Sequence, residues 1–179
     1  MARVDPELVE QFVRTAQEAA ATVEKIPATP RQVHEALNRA VGENTANLAE
    51  PCALAPEFFA PFKSQTNVVA PPTDHHLATV RIGVTDAFAG VARTGSICIP
   101  VDDTLVSSVS LFCREHIAVL DARNLVPRPR DLFSGNYFPQ NKLPSNLIFI
   151  TGPSATADMG ELVRGVHGPG KLHIILLVP

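Results

Sequence analysis

The chain has 179 residues, 45% of them hydrophobic and 18% charged, with a formal net charge of −3. That length and apolar share suit one core that buries roughly 70% of the unfolded surface, and they exclude disorder. The slight acidity excludes the footprint of a general nucleic-acid binder, no apolar run approaches the roughly 20 residues of a membrane span, and no signal-peptide pattern opens the chain, so the expected location is cytoplasmic.

The spacing predicts an amphipathic helix over residues 5–25. Asp5 is a good N-cap, Pro6 fits the first helical position, and Leu8, Val9, Phe12, Val13, Ala16, Ala19, Ala20 and Val23 recur near a 3.6 period. Thr29-Pro30 restarts a helix with the same grammar, and Gly42 stops it. Residues 1–42 are thus expected to be a helical segment packed on a core formed by residues 43–179, within one domain. Five prolines interrupt residues 43–80, where only short pieces around Phe58–Phe62 and Thr66–Ala70 are expected. Adjacent His75 and His76 fit neither the i, i+4 spacing of ligands on a helix nor the i, i+2 spacing on a strand. They read as a solvated turn, and no metal site is expected.

From residue 81 short apolar runs recur. Arg81–Thr85, Ser96–Val101, His116–Asp121, Asn146–Thr151 and Lys171–Val178 read as strands covered on both faces. Between the last two, Met159, Leu162, Val163 and Val166 share one side of a helix predicted over Ala155–Val166. Strand, helix, strand is a βαβ unit, so the fold class is α/β with a mostly parallel sheet.

Ligands of such sheets bind beyond the carboxyl ends of strands. There, Thr151-Gly152-Pro153-Ser154-Ala155-Thr156-Ala157-Asp158 offers hydroxyls and a helix start. They either cap the helix or hold a carboxylate or phosphate. Arg93-Thr94-Gly95-Ser96 likewise reads as an anion grip or a turn feeding a strand. His116 and His167 are candidate acid–base groups, and each also reads as a structural hydrogen-bonder. Ser154 lies outside a G-x-S-x-G motif, and neither a dinucleotide fingerprint nor a phosphate-binding Walker loop occurs. The three cysteines, Cys52, Cys98 and Cys113, form no C-x-x-C pair and are too few for an all-cysteine iron–sulfur cluster.

Leu143-Pro144-Ser145-Asn146, the Thr151–Asp158 segment and Gly165-Val166-His167-Gly168-Pro169 together resemble the C-terminal signature of LUD-domain proteins, the lactate-utilisation protein C family. Gly83-Val84-Thr85, Thr94-Gly95-Ser96 and His116-Ile117-Ala118-Val119 fall at the family's spacing. The resemblance covers roughly residues 81–178. It implies a Rossmann-like three-layer α/β domain with N-terminal helices, similar to the sugar-isomerase and CoA-transferase superfamily. It also implies a part in oxidising L-lactate to pyruvate beside separate iron–sulfur lactate-utilisation proteins, with no cofactor in this chain. Thr85, Arg93, Thr94, Gly95, Ser96, Gly152, Ser154, Thr156 and Asp158 are then the expected binding residues for a small anionic metabolite. Family members usually carry an acid immediately before Thr-Gly-Thr and an Asp earlier in that loop; here those positions are Arg93 and Phe88, with Asp86 out of register. A guanidinium in place of a carboxylate reverses the local charge and suits an anion. The alternatives are a stand-alone binder or enzyme of the superfamily, and a member with an interaction role alone. Whether the chain is itself catalytic stays open.

Overall fold

The computed structural model describes residues 4–101, 105–134, 146–156 and 163–179. Helix α1 (Pro6–Glu18) starts as the sequence indicates, with the Asp5 carboxylate accepting from the Glu7 N–H at 3.0 Å. It ends well before residue 25. The Ala21 N–H reaches back to the Ala16 carbonyl at 3.0 Å, with Ala20 at φ 66°. This is a Schellman-type closure made without the usual glycine. The chain then straightens into strand β1 (Thr22–Pro27). Helix α2 (Pro30–Val41) carries the predicted caps, Thr29 accepting from the Gln32 N–H and Gly42 at φ 60°. The segment 1–42 therefore holds two helices and a strand between them.

There follow strand β2 (Ala46–Leu48), a short helix α3 (Ala60–Lys63), strand β3 (Val68–Val69) and helix α4 (Asp74–Thr79). His75 and His76 lie in α4 rather than in a turn. The His76 ring accepts from the Thr73 N–H at 3.2 Å and so closes a capping box. Next come β4 (Ile82–Asp86), β5 (Ala89–Val91), β6 (Ser96–Val101), helix α5 (Val106–Phe112), β7 (Glu115–Asp121) and β8 (Leu125–Val126). The described chain closes with β9 (Asn146–Ile150), β10 (Ala155–Thr156), β11 (Val163–Arg164) and β12 (Lys171–Val178).

The main sheet has six strands in the order β1-β12-β7-β4-β2-β3, and every pair in it is parallel. Its two faces are buried, which is why its strands read as unbroken apolar runs. On one face α2 and α3 deliver Val33, Leu37 and Phe62 against Ile117, Val119, Ile175 and Leu177. On the other, Phe12 of α1 and Val109 of α5 pack with Ala118, Leu120, Ile174 and Leu176. The fold is α/β, in three layers. Among the described residues, no helix is long and apolar enough to cross a membrane.

Two further expectations are corrected. β6 and β9, read from the sequence as further strands of one mostly parallel sheet, belong to a second sheet of order β8-β5-β6-β9. There β6 is antiparallel to both β5 and β9. The helix predicted over Ala155–Val166 is replaced at both ends by the antiparallel pair β10 and β11, so no βαβ unit links β9 to β12. Met159 and Leu162 of that prediction lie outside the described residues. Val163 and Val166, assigned to its buried side, are 45% and 53% exposed.

Candidate functional site

The two hydroxyl-and-glycine segments meet. Ser96 Oγ lies 2.7 Å from Thr94 Oγ1 and 2.7 Å from Thr151 Oγ1, making a short hydroxyl chain between the start of β6 and the end of β9. Antiparallel pairing forces this meeting, since Ile97 faces Ile150 and the residues flanking them follow. Helix α1 holds both segments from behind: Thr15 Oγ1 donates to the Ala92 carbonyl at 2.7 Å. Gly95 and Gly152, at φ 65° and 66°, lie against the backbone of α1 where no Cβ fits.

Thr151, Gly152 and Ser154 line a cleft of about 490 Å³. His116, His167 and Ser110 also border it. His116 is buried at the second position of β7, where its Nε2 shares a hydrogen bond of 2.9 Å with Thr85 Oγ1. Gly83 pairs with His116 and Thr85 with Ala118, so Thr85 and His116 are diagonal neighbours on one face of the sheet. The other ring nitrogen, Nδ1, is buried and has no hydrogen-bond partner among the described residues. A buried polar atom left unpaired costs about 1–3 kcal/mol, so it marks a place where a ligand's polar group is favoured.

The remaining predicted residues divide. Arg93 and Thr94 are exposed, and Arg93 anchors its loop by donating its N–H to the Pro127 carbonyl at 3.1 Å. His167 is exposed at the rim of the cleft. Thr156 is paired with Val163 in the β10–β11 ladder. Asp158 lies outside the described residues. The Ser154 N–H is already given to the Pro169 carbonyl at 2.8 Å, and β10 begins at the next residue. The anion grip foreseen from a helix start after Gly152 is therefore absent at Ser154. Sequence reasoning missed Asp86, whose buried carboxylate ends β4 and accepts from the Cys52, Ala53 and Leu54 N–H groups at 2.9, 2.7 and 2.7 Å. An acid closing a buried strand was the available signal, because such a charge needs partners.

This cleft lies over the amino halves of β7 and β12, against the general rule for open sheets. A larger cleft of about 950 Å³ does sit by the carboxyl ends of β1 and β12. Its charged groups are already satisfied, Lys25 by Glu10 at 2.6 Å and Arg123 by Asp121 at 2.5 Å. The smaller cleft keeps an unpaired buried nitrogen and is the better candidate.

Burial depresses the pKa of His116 from 6.5 to about 4. Above pH 6.5 the ring is neutral in both folded and unfolded chains, and its stabilising contribution is complete. As pH falls below 6.5 the unfolded chain takes up a proton that the folded chain refuses until about pH 4. Stability should therefore drop through that window, by on the order of 3 kcal/mol in all. Urea midpoints at pH 7 and pH 4.5, with NMR titration of the imidazole, check this; a ring protonated at pH 6 would contradict it.

Burial also pushes the Cys98 and Cys113 thiols up, to about 11 and about 12. A thiol reagent at pH 8 should modify Cys52 in the native protein and reach the other two only on unfolding. Rapid labelling of Cys113 before denaturant is added would refute the core packing. Among the described residues, no three His, Cys, Asp or Glu side chains converge to hold a metal ion.

A family model described as the LUD domain matches residues 10–177. An uncharacterised protein of Neisseria meningitidis serogroup B is 31% identical over 98 residues, 54% of this chain and 42% of that protein. A lactate utilization protein C of Bacillus subtilis is 34% identical over 100 residues, with the same shares of 54% and 42%. The match thus spans less than half the length of these relatives. The crystal structure of a DUF162 family protein from Deinococcus radiodurans superposes with a TM-score of 0.69 at 17% identity, over 96% of this chain and 97% of that one. That likeness concerns the fold.

Proposed function

Since the chain belongs to the LUD-domain family, we propose that it serves lactate utilisation, as a cytoplasmic component of a system that oxidises L-lactate to pyruvate. The observation that carries this reading is the similarity to relatives named lactate utilization protein C. The iron–sulfur clusters of such a system are assigned in this reading to partner proteins. The test is a tagged pull-down from lactate-grown cells with lactate-dependent dye reduction assayed on the eluate. Co-elution of iron–sulfur proteins, with activity lost when this chain is omitted, is the expected result. Full activity in its absence would end the proposal.

The cleft favours a second reading. His116 with Thr85, and the hydroxyls of Ser96, Thr151 and Ser154, suit a small anionic metabolite held as in the sugar-isomerase and CoA-transferase superfamily. In this reading Gly95 and Gly152 shape the loops, the exposed Arg93 and Thr94 and the residues Thr156 and Asp158 are further proposed contacts of the anion, and His116 or His167 moves a proton. Titration with L-lactate, pyruvate, a sugar phosphate and an acyl-CoA separates the readings. Tight binding by the isolated chain supports the second, and silence across the panel counts against it.

A further inference from the structure

The parallel sheet gathers positive charge at its amino edge. Arg81 immediately precedes β4, Arg114 immediately precedes β7, and Lys171 opens β12. Register makes this unavoidable. Ile82 pairs with Glu115, and Lys171 pairs with Glu115 from the other side. The Arg81 carbonyl accepts from the Arg114 N–H at 2.7 Å and the Glu115 N–H at 3.1 Å, so the two arginines leave adjacent strands abreast. Neighbouring strands are about 4.8 Å apart, and like charges directly opposite one another destabilise a sheet. Arg164, from β11, joins the cluster across a cleft of about 450 Å³.

The local charge contrasts with that of the chain. Four cations, Arg81, Arg114, Arg164 and Lys171, surround one carboxylate, Glu115, which Lys171 faces at 3.5 Å. Four less one leaves +3 in a single cleft, on a chain whose net charge is −3. Arg81 and Arg164 make no ion pair among the described residues. The backbone around the cleft is fixed: the Gly170 N–H donates to the Arg114 carbonyl at 2.9 Å, and Arg114 Nη1 reaches the Gly165 carbonyl at 3.4 Å.

We propose that this cleft, formed by Arg81, Arg114, Arg164 and Lys171, is a binding site for the diphosphate group of a soluble phosphorylated ligand. Guanidinium forks match phosphate oxygens in pairs, and a lysine adds a point charge. A single carboxylate would leave most of the positive charge unanswered; a diphosphate answers it. The site shares no lining residue with the His116 cleft and does not depend on the function proposed above.

Thermal unfolding and calorimetry with pyrophosphate, ADP, inorganic phosphate and L-lactate test it. At a hundredfold excess over Kd, pyrophosphate or ADP should raise Tm by about 5–10 °C, with lactate inert at the same concentration. ADP tighter than pyrophosphate identifies an esterified diphosphate; the reverse order identifies the free ion. Arg81→Gln and Arg164→Gln should each weaken binding roughly tenfold or more. Ligand-free Arg81→Gln should melt at or above the parent temperature, because a repulsion has been removed, whereas a purely structural arginine would lower it. No shift with either diphosphate, or a shift that both variants retain, overturns the proposal. So does binding to anionic vesicles without binding to pyrophosphate.

Discussion

Replacing Gly152 by alanine should destabilise the protein by about 2–5 kcal/mol, among the largest effects expected of a single added methyl group. At φ 66°, a Cβ on residue 152 would lie 1.9 Å from the Ala19 carbonyl oxygen, and backbone cannot swing aside as a side chain can. Left-handed strain accounts for about 1–2 kcal/mol and forced repacking for about 1–3 kcal/mol. Gly95 meets α1 in the same way, its Cβ position 2.2 Å from the Ala16 nitrogen. Gly95→Ala should therefore behave alike. Because both press on one helix end, the double variant should lose less than the sum. Urea denaturation of the three variants measures each effect; a Gly152→Ala midpoint equal to the parent's would show that α1 does not seat as described.

Asp86→Ala is the second large loss, at about 3–6 kcal/mol. Three backbone N–H groups, those of Cys52, Ala53 and Leu54, converge on this buried carboxylate. Alanine removes every acceptor at once and leaves three donors facing apolar surroundings. Asn keeps one oxygen but turns an N–H₂ toward a donor, so it should rescue only part of the loss. Hydrogen exchange locates the effect: protection at residues 52–54 should collapse while that of β12 persists under native conditions. Unchanged exchange at those amides would mean that the loop is held by other contacts.

Strong local signals in the sequence were legible, and choices made by distant pairing were not. Asp5-Pro6 and Thr29-Pro30 announced both helix starts, and Gly42 one stop, because caps act within four residues. β6 and β12 appear with the bounds their apolar runs suggested. The sheet to which each run belongs was hidden, since β6 and β12 read alike although one is antiparallel to its neighbours and the other parallel. β1 was lost because the helix ends on Ala20 in a left-handed turn, where no glycine or asparagine gives warning. α5 went unnoticed for a related reason: Val106–Phe112 is rich in serine and valine, and it opens after Leu105 at φ 61°. At the site, the pairing of Thr94-Gly95-Ser96 with Thr151-Gly152 was foreshadowed only as two separate anion grips. Thr85 and His116 lie 31 residues apart and are joined only by the register of β4 and β7.

The place of β12 has a consequence for biosynthesis. It lies between β1 and β7, comes after the other described strands, and meets β1 through contacts such as Thr22 with His173, 151 residues apart. A nascent chain thus finishes β1 and the β7-β4-β2-β3 block long before the strand that joins them leaves the ribosome. During that interval the edges of β1 and β7 with which β12 pairs are both open, and that of β7 is apolar. An open edge of this kind pairs with extended strands, and β12 of a second molecule carries the matching sequence, so a strand-swapped dimer is the expected hazard of making this protein at high concentration.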